Sequence, residues 1–156
     1  YTKYGEGVPQ AVHAVEFFLE LVNSGRLQFK EDGRPIKVAY HDPCDIGRHM
    51  GLYEEPRELI KALPGVELVE FALNRQLAKC CGGGGGMKAF DLDLSLELAQ
   101  KRVLQAVDLG AEAIVSACPS CKQNFVQGSA RLKKAGQLKK KMKVMDVTEL
   151  LAKRLA

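Results

Sequence analysis

Ala113-Ile114-Val115-Ser116-Ala117-Cys118-Pro119-Ser120-Cys121 decides the fold. Residues 113–117 form a short apolar run of strand length, Cys118 follows it immediately, and the segment from Pro119 to about Lys134 reads as a helix. A strand that ends on a cysteine and passes straight into a helix is a building block of alternating α/β architectures.

The same order of elements recurs upstream. A polar link marked by Asp32, Gly33 and Pro35 leads into Ile36 to Tyr40, a β-prone run that ends at His41-Asp42-Pro43-Cys44. Glu55 to Leu63 reads as a helix, with Pro56 suited to its first turn and Pro64-Gly65 to its stop; the strand Val66 to Phe71 follows. A polar loop then delivers Cys80 and Cys81. Beyond Gly82 to Gly86, Leu96, Ala99, Val103, Ala106 and Val107 mark the buried face of a longer helix that stops at Gly110.

The flanks add two helices and a strand. From about Pro9 to Val22, Val12, Val15, Phe18, Leu19 and Val22 fall at helical spacing, and Asn23-Ser24-Gly25 is the stop. Lys143 to Met145 suits a last short strand, and Val147, Leu150, Leu151 and Leu155 suit a closing helix with Asp146 near its start. The predicted fold is therefore α/β, an open, mainly parallel sheet with right-handed crossovers and helices on both faces. All three cysteine groups then leave the C-terminal ends of strands, the edge where ligands bind in such sheets and where helix N-termini stabilise negative charge.

With 156 residues the chain has the length of one domain, and the expectation is a single domain over 1–156 with an unpatterned lead-in at 1–9. Starting at Tyr1, it reads as a piece of a longer polypeptide. A 46% hydrophobic and 27% charged composition excludes a disordered or collagen-like chain. No apolar run approaches the roughly 20 residues that span a bilayer and no charged-then-apolar leader is seen, so the expected location is cytoplasmic. The net charge of +4 leans on Arg131, Lys133, Lys134, Lys139, Lys140, Lys141 and Lys143. Without interleaved aromatics this stretch reads as a solvated helix end, and no nucleic acid is expected as a partner.

Five cysteines, arranged C-x35-C-C-x36-C-x2-C from Cys44 through Cys80-Cys81 to Cys118 and Cys121, favour metal or redox work over disulfide staples. Zinc on four of these sulfurs and a metal-free dithiol switch at Cys118 and Cys121 are both open on the residues alone. Packed thiolates repel one another unless a cation compensates them, which counts against the metal-free reading.

Across residues 36–126 the chain resembles the cysteine-rich CCG domain family, found in heterodisulfide reductase subunits and in iron–sulfur subunits of glycolate and lactate oxidation systems. The resemblance rests on His41-Asp42-Pro43-Cys44, Gly47-Arg48, Tyr53-Glu54-Glu55-Pro56-Arg57, Cys80-Cys81-Gly82 with its glycines and Met87, and Ala117-Cys118-Pro119-Ser120-Cys121. It is nearest to heterodisulfide-reductase-like oxidoreductases. It implies an iron–sulfur oxidoreductase domain that transfers electrons to or from a disulfide or a small organic substrate, with a [4Fe-4S] cluster, of cubane or noncubane form, on Cys44, Cys80, Cys81, Cys118 and Cys121. A cubane takes four thiolates and leaves a fifth over, whereas an opened cluster uses five. Zinc in a docking domain is the alternative. Other iron–sulfur or flavoprotein subunits, and a membrane-bound electron-transfer subunit, are the partners the resemblance implies.

His41, Asp42, Gly82 and Gly83 are the candidates for support around the sulfurs. Glycines let the backbone approach closely and adopt positive φ, so their N–H groups can donate to sulfur. The run lacks the Lys-Ser/Thr ending of a phosphate loop. His41 and Asp42 read equally as support for the site and as a pair that orders the strand end. Arg48 and Arg57 are weighed as attractors of an acidic substrate, and Met50 and Met87 as packing residues.

Overall fold

The computed structural model describes residues 11–31 and 33–156. The expected lead-in at 1–9, the first positions, Pro9 and Gln10, of the stretch expected to be helical, and Asp32 lie outside them.

Four strands, β1 (Ile36–Tyr40), β2 (Val66–Glu70), β3 (Ala113–Ser116) and β4 (Lys143–Asp146), make one all-parallel sheet in the order β2-β1-β3-β4. Tyr40 lies beside Glu70 on one side and Val115 on the other, and Val115 lies beside Met145, so the C-terminal ends are aligned along one edge. From β1 the chain moves outward to β2, and from β3 it moves outward in the opposite direction to β4. The order thus reverses between β1 and β3, the place where open sheets leave a crevice.

Alternation along the strands builds a core on each face. Val38, Tyr40, Ala113 and Val115 point to one side, where α1 (Ala14–Asn23), α2 (Glu55–Lys61) and α6 (Val147–Ala152) bring Val15, Leu59, Ile60 and Leu150. Ala39 and Ile114 point to the other, under α4 (Leu92–Asp108) and α5 (Pro119–Lys134), which supply Val103, Ala106, Phe125 and Leu132. Buried on both faces, β1 and β3 read as unbroken apolar runs, as parallel strands do.

Helix starts follow local chemistry. His13 and Asp146 each form a capping box, with Glu16 and Glu149, and Asp91 caps α4 by accepting from the Leu94 N–H. α1 accordingly begins at Ala14, later than expected; Val12 precedes it and is 60% exposed, so it is not on the apolar face. Two other expected core positions are also exposed. Val107 sits past the buried stripe of α4, and Leu155 lies beyond α6 in an antiparallel bridge to Phe29. The basic stretch ends α5 and runs exposed into β4, at the edge of the sheet remote from the cysteines.

Three short helices were not expected: a π turn at Asp45–His49, a 3-10 turn at Arg75–Leu77, and α3 (Met87–Phe90). All three lie on the connections that carry cysteines.

Candidate metal centre

Cys44 directly follows the β1 extension and opens the π turn; Cys118 is the N-cap residue of α5. Cys121 lies inside the first turn of that helix rather than in a loop. Cys80 and Cys81 arrive ten residues past β2, after the 3-10 turn, and lead into the glycine run. Cys44, Cys80, Cys81 and Cys121 line one small recess at the C-terminal edge.

Three of the sulfurs are linked. Cys81 Sγ and Cys121 Sγ are 3.0 Å apart, and Cys121 also hydrogen-bonds Cys118. Cys44 feels the charges of Cys80 and Cys81. A ring nitrogen of His41 lies within 4.8 Å of both the Cys81 and Cys121 sulfurs. Cys44, Cys80, Cys81 and Cys121 therefore share one recess with His41, and Cys118 stands one helical turn from Cys121.

Backbone amides converge there too. The Gly82 N–H donates to Cys80 Sγ and the Gly83 N–H to Cys81 Sγ, each at 3.3 Å. Gly82 has φ +79°, and a Cβ on it would stand 2.6 Å from the Ser95 carbonyl oxygen. A Cβ on Gly83 would stand 2.7 Å from the Ser120 carbonyl oxygen, on α5. Only glycine lets the loop press this closely between α4 and α5.

Two buried polar residues bolt that loop down. Asn124 Nδ2 donates to the carbonyls of Cys81 (2.7 Å) and Ser95 (3.1 Å), and Ser95 Oγ donates to the Gly82 carbonyl at 2.7 Å. Neither was singled out from the sequence, nor was Arg102. A signal existed: Ser95 and Arg102 interrupt the apolar stripe of Ala99, Val103 and Ala106 on α4, and a polar residue on a core face needs a partner.

His41 and Asp42 turn out to have different jobs. His41, 1% exposed, packs edge-on against Phe125 with ring centroids 4.8 Å apart and faces the sulfurs. Asp42 turns the other way and accepts from Arg57 and from the Arg75 N–H, which ties the strand end to the 3-10 turn before Cys80. Arg75 holds φ 52°, an unusual conformation for a side chain of that size, under that bond and a pairing with Glu54.

Arg57 does not attract substrate. Its side chain is fully buried between Asp42 and Glu70. Arg48 does line the recess, bracing it by donating to the Ala78 carbonyl at 2.9 Å, and Arg75 and Lys79 complete a cationic rim. Met50 is not a packing residue, being 51% exposed.

Protons are unequally held among the thiols. The hydrogen bond from Cys121, backed by His41 and the Gly83 N–H, brings Cys81 down to about 4 in spite of burial. The Cys121 hydrogen bond likewise brings Cys118 to about 6, with help from backbone N–H groups of the first turn of α5. Cys121, hydrogen-bonded to both and buried, is pushed far up. Burial, and then Asp45 and the neighbouring sulfurs, raise Cys44. Several thiolates at one edge suit a cation or cationic cluster, and the N-terminus of a 16-residue helix adds a positive dipole end.

One further charge fits that donor set. Arg102 is buried, and its hydrogen bonds go to neutral acceptors, His41 Nδ1, Gln105 Oε1 and the Leu73 carbonyl. Among the described residues it contacts no carboxylate. A buried cation without a counterion is costly, and an anionic group held by the cysteines would offset it.

Residues 38–126 match the family model of the CCG cysteine-rich domain. The chain is similar to a subunit of the dihydromethanophenazine:CoB–CoM heterodisulfide reductase of Methanosarcina acetivorans, 40% identical over 152 residues, covering 97% of this chain and 36% of that protein. It is similar also to the probable iron-sulfur-binding oxidoreductase FadF of Bacillus subtilis, at 34% over 143 residues, 92% of this chain and 20% of that protein. The EtfAB:quinone oxidoreductase of Syntrophomonas wolfei is 31% identical over 153 residues, with 92% of this chain and 20% of that protein covered. The chain thus spans between a fifth and about a third of the length of these relatives.

Proposed function

Since the chain belongs to the CCG cysteine-rich domain family, we propose that it is the iron–sulfur redox domain of an oxidoreductase, and that Cys44, Cys80, Cys81, Cys118 and Cys121 together hold one [4Fe-4S] cluster. The observation that supports this reading is one recess at the C-terminal edge of the sheet that takes Cys44, Cys80, Cys81 and Cys121 from three separate connections, with Cys118 one helical turn from Cys121. Five close thiol ligands exceed what a tetrahedral metal takes, and an opened cluster accommodates all of them.

Bound there, a cluster of this class would store and pass single electrons. The chain's own residues do the rest. Gly82 and Gly83 donate to ligand sulfurs, Asn124 and Ser95 fix the loop that carries those donors, and Phe125, Val103 and Ala39 keep water from one side of the recess. Arg48, Arg75 and Lys79 on the open side favour approach of a negatively charged partner or substrate.

The relatives' names carry the reading further. Similarity to a heterodisulfide reductase component suggests a disulfide as electron acceptor, whose cleavage to two thiols takes two electrons and two protons. The reading includes partner subunits, of iron–sulfur or flavoprotein type, and membrane association through such a partner; the subunit designation of the heterodisulfide reductase relative supports the first of these. Phe90, 89% exposed beside the glycine run, with Leu92 and Leu94 half-exposed next to it, supports a covered face near the site.

Zinc is the second reading, and one observation favours it: His41, Cys81 and Cys121 are grouped closely enough to ligate a single ion. The vicinal pair separates the two. Cys80→Ser and Cys81→Ser are each expected to lower iron content and alter the electron spin resonance signal of oxygen-free protein; zinc kept in full by Cys80→Ser and lost by Cys81→Ser, with no iron in either, would favour zinc.

A further inference from the structure

His41 stands between the cysteines and a buried guanidinium. Arg102 Nε lies 3.4 Å from His41 Nδ1, with the guanidinium stacked 3.6 Å over the Phe71 ring and its remaining nitrogens donating to Gln105 and Leu73. A guanidinium has five N–H donors and no acceptor, so Nδ1 must present its lone pair to Arg102. An imidazole whose Nδ1 presents a lone pair carries its single ring proton on the other nitrogen. The proton is then on Nε2, and Nε2–H is the donor that faces Cys81, whose sulfur lies within 4.8 Å of a ring nitrogen of His41.

This polarity differs from that of a metal-ligating histidine, whose second nitrogen donates its N–H to a carboxylate, carbonyl or water. Here the second nitrogen meets a group that can only donate. We propose that Arg102 is a positioning residue that fixes His41 as the Nε2–H tautomer, so that His41 is a hydrogen-bond donor to the Cys81 sulfur and not a metal ligand, and that this donor raises the reduction potential of the cluster. The last part rests on the cluster reading above; the tautomer does not. Reduction adds negative charge to the sulfurs, and an N–H donor in a dry site stabilises the reduced form more than the oxidised one.

Nitrogen-15 spectroscopy of the His41 ring in metal-free, reduced chain reads the tautomer. Nε2–H is expected, giving way to a mixture in Arg102→Leu; Nδ1–H in the unaltered chain would overturn the assignment. In oxygen-free, cluster-loaded chain, His41→Phe is expected to move the midpoint potential to a more negative value. His41→Gln, whose terminal amide reaches about as far as Nε2, is expected to restore most of it. A midpoint potential that is the same in all three proteins would overturn the tuning role. If no iron is taken up at all the cluster reading fails, and the ring spectrum still decides the tautomer.

Discussion

Asp42 and Arg57 meet through two parallel hydrogen bonds, 2.6 and 2.9 Å long, where neither side chain reaches solvent. Arg57 turns its other edge to Glu70, and Asp42 Oδ2, which takes one of the two bonds, also accepts the Arg75 N–H at 2.8 Å. One buried ion pair thereby couples the ends of β1 and β2 to the turn that leads to Cys80. Removing one member of such a pair leaves a buried charge uncompensated, which costs about 3–5 kcal/mol. Arg57→Ala is expected to lose stability on that scale in urea unfolding and to lower metal content. Arg57→Lys, a point charge in place of a fork, recovers only part of it.

Glycines at 82 and 84 are expected to behave differently although both belong to the same run. Gly82→Ala puts a Cβ against the Ser95 carbonyl at positive φ, a strain of about 1–3 kcal/mol. At Gly84 a Cβ meets nothing within 4 Å. Thermal unfolding and metal content of the two alanine variants check this, with Gly84→Ala close to the unaltered chain in both.

Asn124→Ala removes donors from two buried carbonyls, those of Cys81 and Ser95, at about 1–3 kcal/mol for each group left unsatisfied. Asn124→Asp is expected to be no better, since a carboxylate only accepts. Slow loss of metal to a chelator, compared across the two variants, reads the same effect at the site.

Acid stability should depend on Glu149 and Glu54. Lys122, followed by the Asp146 N–H, holds the Glu149 carboxyl below the ordinary glutamate value of 4.5, and Arg75 does the same for Glu54. A depressed carboxyl stabilises the fold above its unfolded value, and that contribution is lost as pH falls through the folded one. Wild-type stability is therefore expected to drop below about pH 4.5, and Glu149→Gln and Glu54→Gln to flatten the drop. Both groups are well exposed, so the effect is small and weakens with salt.

Strands and crossovers were legible because their signals are local: apolar runs of strand length, stops at Gly25, Gly65 and Gly110, and cysteines directly after strand ends. From these the all-parallel sheet and the shared cysteine edge follow. Val12 and Leu155 misled because they continue an apolar spacing beyond the ends of their helices, and Val107 because it lies inside α4 but to one side of the buried stripe of Ala99, Val103 and Ala106. Arg57 was misread because charge suggests a surface, and only tertiary structure supplies the two carboxylates, 15 and 13 residues distant, that bury it. Asn124, Ser95 and Arg102 act through contacts across α4, α5 and the glycine loop, and no pairwise spacing in the chain encodes those.

Metal and acid-labile sulfide analysis of chain purified without oxygen, with electron spin resonance of the same sample, bears on the whole proposal at once. About four irons with a matching amount of sulfide per chain are expected. One zinc per chain with neither iron nor sulfide, under the same conditions, would contradict it.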